Sequence, residues 1–313
     1  MPGAIRLHYP RLAGIIWLAA LLTLFFSPIT PALAGSQGSY VFQDPETGKA
    51  ITVWYAKPRM SSSDTPVVMV LHGQNRNADT YRNVWASYVD QYGFIALAPE
   101  FSEEIFPGNS YEQGHYFSVT PSEARKNKTR PVKHSPSEWS FRVPDKIFSH
   151  YAAQNALATP NYYLYGHSAG AQFIHRMLQV LPENGAKMAV AANAGWYTLP
   201  DTTDSWPYGL KEAEIGPGDI RRFLAFPLVV MVGENDTDPR HPGLRRTAKA
   251  DRQGLTRLAR GKYFYNFCSD LARVLNVPFG WRFYVVPDAA HSNKEMAGSA
   301  AAFIGNDIAV NKY

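Results

Sequence analysis

The most chemically informative residue of the sequence is Ser168, which lies between two glycines in the pentapeptide GHSAG. The apolar stretch YYLY precedes the pentapeptide, and apolar residues at helical spacing follow it. A strand that turns sharply into a helix lifts the side chain at the turn above the sheet edge. It also places that side chain at a helix N-terminus, which favours developing negative charge. A serine in this position can act as a nucleophile once a base removes its proton.

A nucleophilic serine needs a histidine base and a carboxylate that orients the histidine. The segment FYVVPDAAHSN supplies His291 after the last predicted strand, and LVVMVGENDTDP supplies Asp236 after the strand before it. Loops at the carboxyl ends of parallel strands meet at one edge of a sheet, so both side chains can approach Ser168 despite their separation in sequence. Other carboxylates stay open as alternatives for the acid, namely Glu234, Asp238, Asp201 and Asp204.

The charged oxygen that forms during acyl transfer needs two N–H donors. We expect one from the backbone of Ala169, directly after the nucleophile. The other is expected from the loop after the strand at 67–71, with Gln74 as the first choice and Asn75 as the second. The neighbouring His72 is expected to orient this loop rather than to take part in the chemistry. The candidates for the walls of a substrate pocket are Asn75, His167 and Trp196.

The elements that must position these residues follow from the hydrophobic pattern. Strands and helices alternate from residue 67 onward, which predicts an α/β fold with a mostly parallel sheet and helices on both faces. Short runs that are apolar on both sides indicate strands buried within such a sheet. An antiparallel hairpin at 40–42 and 51–55 precedes them. The predicted buried strands are 67–71, 94–98, 162–165, 188–192, 228–232 and 282–286.

Two segments interrupt this alternation. Residues 101–137 and 196–218 are rich in Pro, Gly and polar residues, and we expect them to be irregular insertions into a single α/β domain over 35–313. Because long loops of this kind are often functional, they are expected to set the substrate preference. The basic stretch 244–260 is predicted to form one helix with a solvated outer face.

Residues 1–34 have the features of a secretory signal peptide. Arg6 and Arg11 give a basic start, and the apolar run Leu12–Phe26 is shorter than the ~20 residues needed to span a bilayer. Small residues follow, up to Ala34. We therefore expect cleavage after Ala34, export to the periplasm or the medium, and no stable membrane insertion of the mature chain.

Composition excludes several classes of partner and site. Without the leader, the chain carries 29 basic and 26 acidic residues, a balance that gives no reason to expect a nucleic-acid partner. Its single cysteine, Cys268, rules out an internal disulfide and a cysteine-built metal site, and we expect it to be buried in a helix. The nine histidines show no metal-ligand spacing, and no glycine-rich phosphate loop is present, so neither a metal nor a cofactor is expected.

Taken together, these motifs resemble the α/β-hydrolase superfamily, and within it the secreted esterases related to polyhydroxybutyrate depolymerases and feruloyl esterases. In that family the acid commonly lies three residues after a glycine that ends its strand, as Asp236 lies after Gly233. The segments that carry the resemblance are VLHGQNRNA at Val70–Ala78, GHSAG at Gly166–Gly170, GENDTDP at Gly233–Pro239 and DAAHS at Asp288–Ser292.

The residues and the resemblance together predict an exported serine hydrolase that cleaves carboxylic esters, small or polymeric, through an acyl-enzyme. Ser168 is expected to be the nucleophile, His291 the base and Asp236 the orienting acid. The motifs do not distinguish an alcohol from an amine as the leaving group, so a peptidase or amidase with the same triad stays open. A non-catalytic binding module that retains the fold is the alternative from another class.

Overall fold

The computed structural model of the protein describes residues 35–311, and the predicted signal peptide lies outside this range. The strands are β1 (Gln37–Gln43), β2 (Ala50–Ala56), β3 (Val67–Leu71), β4 (Ile95–Pro99), β5 (Phe117–Val119), β6 (Val132–Lys133), β7 (Tyr162–His167), β8 (Ala186–Ala192), β9 (Leu228–Gly233) and β10 (Arg282–Val286). The helices are α1 (Ala78–Tyr92), α2 (Pro121–Asn127), α3 (Val143–Gln154), α4 (Ala169–Val180), α5 (Pro217–Ala225), α6 (Ala248–Gln253), α7 (Arg257–Leu275) and α8 (Asn293–Val310).

Eight strands of residues 35–311 form one sheet in the order β1-β2-β4-β3-β7-β8-β9-β10. The hairpin β1–β2 is antiparallel and β2 pairs antiparallel with β4, whereas all later neighbours pair in parallel. The predicted α/β fold with a mostly parallel sheet and helices on both faces is therefore confirmed. The carboxyl ends of β3, β7, β9 and β10 consequently share one edge of the sheet, where the candidate residues follow them.

Both faces of the sheet are covered by helices because neighbouring residues of a strand point to opposite sides. In β3, Val68 and Val70 pack in a cluster with α1 and α8, while Val67 and Met69 pack in a second cluster with α3, α4, α5 and α7. Each buried Val or Leu contributes about 1.5–3 kcal/mol relative to an exposed one, so the two layers fix the sheet firmly. Cys268 on α7 is fully buried, as predicted.

Helix α4 begins directly after Ser168 and is buried along its whole length. Its apolar stripe faces the sheet, and its polar side chains bind backbone groups of both predicted insertions. Arg176 donates to the carbonyl oxygen of Glu112 at 2.8 Å, and Gln179 donates to that of Thr198 at 3.0 Å. The insertions are therefore attached to the helix that follows the candidate nucleophile.

The structure departs from the predicted elements in three places. Residues 101–137 are not irregular throughout, since they contain β5, β6 and the short helix α2. The single helix predicted over 244–260 is wrong. The chain is interrupted at Gly254, which has a φ of 141°, and α7 starts anew after Thr256, whose hydroxyl accepts from the N–H of Ala259 at 3.2 Å. Helix α5 was not predicted, although Pro217 at its first position is a typical start signal.

The described part of the chain was also inspected for membrane-spanning helices. Between residues 35 and 311, no helix combines the length and the apolar character that crossing a membrane requires.

Candidate active site

Ser168 occupies the sharp turn between β7 and α4, with φ 57° and ψ −110°. Few residues other than glycine adopt a positive φ, and such strain persists only where the surrounding structure enforces it. The enforcing contacts are close approaches of backbone to backbone. A Cβ added at Gly166 would lie 2.4 Å from the carbonyl group of Gly170, and one added at Gly170 would lie 2.4 Å from the carbonyl oxygen of Leu71. Both flanking glycines are thus required for the turn to pack on the sheet.

This close packing predicts that Gly170→Ala will be destabilising. We expect a loss of about 2–3 kcal/mol in the free energy of unfolding, because the new methyl group meets backbone atoms that cannot move aside. Gly218→Ala is the matched control, since the nearest atom to a Cβ there is 3.8 Å away on an exposed helix. Urea unfolding of both variants measures the difference, and equal stabilities would contradict the account of the turn.

Ser168, His291 and Asp236 form a continuous chain of hydrogen bonds. The Nδ1 atom of His291 lies 2.8 Å from Oδ2 of Asp236, and its Nε2 atom lies 3.1 Å from Oγ of Ser168. An ionised carboxylate only accepts hydrogen bonds, so Nδ1 carries the proton of the neutral ring. Nε2 is then free to accept a proton from the serine hydroxyl. Asp236 is almost completely buried, with 4% of its surface exposed.

The loops that carry His291 and Asp236 are joined by Asn193, which follows β8. Its side-chain oxygen accepts from the N–H of Gly233 at 2.7 Å, and its side-chain nitrogen donates to the carbonyl oxygen of Ala290 at 3.0 Å. A Cβ at Gly233 would lie 2.4 Å from the carbonyl oxygen of Ala289, so glycine is needed where the loops meet. Sequence reasoning missed Asn193 because its partners lie on two distant segments.

The alternative acids are occupied elsewhere. Glu234 accepts from the N–H of Asp288 at 3.1 Å, and Asp238 accepts from the N–H of Arg240 at 2.8 Å. In the second insertion, Asp201 accepts from the backbone and the hydroxyl of Thr203, while Asp204 pairs with Lys249 and Arg252. Of Asp236 and these four alternatives, the structure brings only Asp236 to His291.

The loop after β3 lies against the turn at Ser168. A Cβ built on Gly73 would be 3.6 Å from the Cβ of Ser168. Ala169 is the first residue of α4, so its N–H has no acceptor within the helix. The N–H of Gln74 likewise makes no hydrogen bond within residues 35–311. Two unpaired backbone donors therefore flank the serine, as an oxyanion site needs.

His72 orients the loop after β3 through hydrogen bonds of its ring. The N–H of Phe101 donates to its Nε2 at 2.9 Å, so its protonated Nδ1 donates to the carbonyl oxygen of Gly73 at 2.8 Å. The ring is fully buried, and burial lowers the pKa of His72 to about 4, which keeps it neutral near pH 7. Both nitrogens are engaged with backbone, so His72 holds the loop and does not face Ser168.

A cavity of about 650 Å³ opens above the serine. Its walls include Gln74 and Asn75 on one side and His291 and Lys294 on the other. Among residues 35–311, no Asp or Glu side chain lines this cavity. Within the same range, no group of three or more His, Cys, Asp or Glu side chains is arranged to hold a metal ion. The space beside Ser168 is large enough for a small molecule or one unit of a polymer.

Solved structures of known proteins share this arrangement of elements. Poly(aspartic acid) hydrolase-1 from Sphingomonas sp. KT-1 is 37% identical with a TM-score of 0.79, over 86% of this chain and 98% of that protein. This chain belongs to the α/β-hydrolase family. LpqC from Bordetella parapertussis, named a poly(3-hydroxybutyrate) depolymerase, is 30% identical with a TM-score of 0.77, over 86% of this α/β-hydrolase and 89% of LpqC.

Sequence comparison gives a weaker match. A poly(3-hydroxybutyrate) depolymerase from Ralstonia pickettii is 27% identical over an alignment of 135 residues that covers 38% of this α/β-hydrolase and 27% of that protein. The chain thus matches about a quarter of the length of this curated relative. No family model matches the sequence.

The three predicted pocket residues of this α/β-hydrolase have different positions. Asn75 and His167 line the cavity. His167 lies below His291, with ring centroids 4.8 Å apart, and its Nδ1 forms a 2.9 Å hydrogen bond with the hydroxyl of Tyr81. Burial, with smaller contributions from His291 and Arg257, holds the pKa of His167 well below its usual range. A neutral His167 next to His291 adds no positive charge that would oppose the protonation of His291.

Trp196 does not belong to the cavity wall, in contrast to the prediction. Its ring is 3% exposed and lies between two guanidinium groups, with Arg176 at 4.1 Å and Arg245 at 4.9 Å from the ring centroid. The ring of Tyr208 packs beside it at 4.7 Å. After β8 the chain directs this side chain against α4 rather than toward Ser168, so Trp196 stabilises the second insertion.

Two residues of the site were not anticipated. Arg257 and His241 both line the cavity. The guanidinium of Arg257 donates to Oδ1 of Asp236 at 3.3 Å and to Nδ1 of His241 at 3.2 Å. Arg257 lies in the stretch 244–260, which the sequence predicted to be one helix with a solvated outer face, and His241 lies just before this stretch. After the break at Gly254, the first residue of α7 contacts Asp236.

Proposed function

We propose that this hydrolase is an exported serine esterase that cleaves carboxylic esters through an acyl-enzyme. The observation that carries the proposal is the continuous hydrogen-bond chain Ser168–His291–Asp236 beside an open cavity. It is the arrangement in which a serine hydroxyl becomes a nucleophile at neutral pH. Polyesters such as poly(3-hydroxybutyrate), the polymer named for two of the relatives, are the polymeric substrate class of this proposal.

In the first half of the reaction, Oγ of Ser168 attacks the ester carbonyl carbon while Nε2 of His291 takes the hydroxyl proton. The carbonyl oxygen becomes negatively charged and accepts hydrogen bonds from the N–H groups of Ala169 and Gln74. Asp236 stabilises the imidazolium and keeps Nδ1 protonated. Collapse of the intermediate breaks the carbon–oxygen bond of the ester. The leaving alcohol takes the proton from His291, and the acyl group stays on Ser168.

In the second half, water replaces the alcohol. His291 takes a proton from the water as its oxygen attacks the acyl carbon, and the same two N–H groups hold the oxyanion. The intermediate then releases the carboxylic acid, and Oγ of Ser168 recovers its proton from His291. The products are one alcohol and one acid, and the triad returns to its initial state without any cofactor.

A second candidate function is the cleavage of amide bonds in an anionic polymer. It is favoured by the 37% identity with a poly(aspartic acid) hydrolase and by the charge of the cavity, whose walls carry Lys294 but, within 35–311, no carboxylate. Arg245 adds exposed positive charge on the segment that follows the cavity-lining Gly243. Such a surface attracts negatively charged substrates.

A panel of four substrates separates the two functions. We expect the enzyme to cleave an ester faster than the amide of the same acyl group, whether or not that acyl group carries a free carboxylate. Initial rates from a pH-stat, or from released amine for the amides, give kcat and KM for each. Preference for the anionic amide would replace the esterase by the amidase, and turnover of none of the four would contradict both.

We further propose export to the periplasm or the medium, since residues 1–34 carry the pattern of a signal peptide. An exported hydrolase would meet polymers that cannot enter the cell.

A further inference from the structure

Arg257 joins the acid of the triad to a second histidine. It is the first residue of α7, and only 2% of its surface is exposed. One guanidinium nitrogen donates to Oδ1 of Asp236, and the other donates to Nδ1 of His241. The other carboxylate oxygen of Asp236 is bound by His291. A single planar group thus contacts the acid opposite the catalytic base.

His241 is held in one tautomer by two donors. The N–H of Gly243 donates to its Nδ1 at 3.1 Å, in addition to Arg257 at 3.2 Å. A nitrogen that accepts from donors carries no proton, so the proton of the neutral ring is on Nε2. Burial, with the charges of Arg257 and His291 adding to it, lowers the pKa of His241 and favours this neutral form.

The ring of His241 lies beside His291 and lines the same cavity as Ser168. The two rings are edge-on, with centroids 5.4 Å apart. Nε2 makes no hydrogen bond within the described part of the chain. The wall of this cavity therefore carries a ring N–H of fixed tautomer, in addition to the two backbone donors expected to hold the oxyanion.

We propose that His241 is a specificity-determining residue whose Nε2–H donates to a second acceptor oxygen of the substrate, a few bonds from the scissile ester. Arg257 is the positioning residue that fixes the tautomer of His241 while it balances the charge of Asp236. The proposal rests on the esterase function and adds a substrate class. The preferred substrates are esters that carry another oxygen acceptor near the cleaved bond, as each repeat of an oligoester does.

Substrates that differ by one atom test the proposal. Hexyl hexanoate is compared with two analogues in which an ether oxygen replaces one methylene, either in the acyl half or in the alcohol half. Wild type is expected to favour one ether analogue over the parent by roughly 5- to 10-fold in kcat/KM, mainly through a lower KM, as one hydrogen bond allows. Equal kcat/KM for all three esters would overturn the proposal.

Two variants of His241 separate the donor from the shape of the ring. The amide oxygen of His241→Asn can still accept from Arg257 and Gly243, but the variant has no distal donor, so the preference for the ether should vanish. His241→Gln places an amide N–H near the position of Nε2 and should retain part of the preference. Arg240→Gln, exposed on the same loop and outside the cavity wall, is the control and should keep all of it. Retention of the full preference by His241→Asn would overturn the proposal.

Arg257→Lys tests the positioning role. Lysine keeps a positive charge near Asp236 but lacks the planar fork that reaches both partners. We expect the preference for the ether to fall and the ¹⁵N resonances of His241 to change from Nε2-protonated toward a mixture of tautomers. Unchanged resonances and preference would refute this role. If wild type hydrolyses none of the esters, the esterase function itself fails, whereas turnover without dependence on His241 refutes only the present proposal.

Discussion

Ser168→Ala is expected to reduce the turnover of a short-chain p-nitrophenyl ester by at least roughly 10³-fold, with the fold intact. The variant removes the only atom that can form the acyl-enzyme, and such losses are typical when a triad member is removed. The bond from the N–H of Ser168 to the carbonyl oxygen of Ala192, 2.9 Å long, does not depend on the side chain, so the turn should persist. Initial rates and the thermal unfolding midpoint measure the two parts of this expectation.

The matched control is Ser118→Ala, which removes another hydroxyl from an exposed strand of the first insertion. It should retain the activity of the wild type. A fluorophosphonate probe adds an independent measurement, because it reacts with activated serines. The probe should label wild type and Ser118→Ala but not Ser168→Ala. Equal activity of both variants would exclude Ser168 as the nucleophile, and an unlabelled wild type would favour a binding module without catalysis.

Asp236→Asn is expected to lower turnover of the same ester by roughly 10³- to 10⁴-fold. An amide can donate to Nδ1 of His291, which would stabilise the tautomer whose Nε2 is protonated and unable to take the serine proton. The stability should fall as well, by about 3 kcal/mol, because the guanidinium of Arg257 loses its buried carboxylate partner. Rates and urea unfolding curves test both consequences.

Asp238→Asn distinguishes this acid from its neighbour two residues away. Asp238 is exposed and, among residues 35–311, accepts only from the N–H of Arg240, a bond that an asparagine oxygen can also accept. We expect activity within about 2-fold of wild type and no measurable loss of stability, as is usual for surface substitutions. A large loss of turnover in Asp238→Asn together with an active Asp236→Asn would reverse the assignment of the acid.

Much of the site could be predicted because its signals are local in sequence. Gly166 and Gly170 around Ser168 indicate a sharp turn, since only glycine allows the close backbone contacts on either side of the serine. Short runs whose residues are apolar on both faces indicate buried strands. Parallel strands bring the loops that follow them to one edge of the sheet. From this rule alone, the segments that carry Asp236 and His291 could be expected near Ser168.

The remaining features depend on contacts between distant segments, which no local pattern records. Asn193 looks like any loop asparagine until β9 and the loop of His291 are in place around it. Trp196 follows a strand at the right edge, but its orientation is decided by Arg176 and Arg245, both remote in sequence. Arg257 lies in a basic stretch, and because such stretches are usually exposed to solvent, its burial beside Asp236 could not be predicted from the sequence.

The bridge at Asn193 has a consequence for how new specificity could arise in this protein. The side chain of Asn193 joins the segments that carry Asp236 and His291 by binding the main chain at Gly233 and Ala290. None of these three bridging residues lines the cavity. Substitutions in the wall, at His241, Asn75 or Lys294, can accordingly accumulate without loosening the reacting groups. A library limited to these three wall positions should retain hydrolytic members at a higher frequency than one centred on Asn193, and selection could change the substrate preference of the enzyme while its chemistry stays constant.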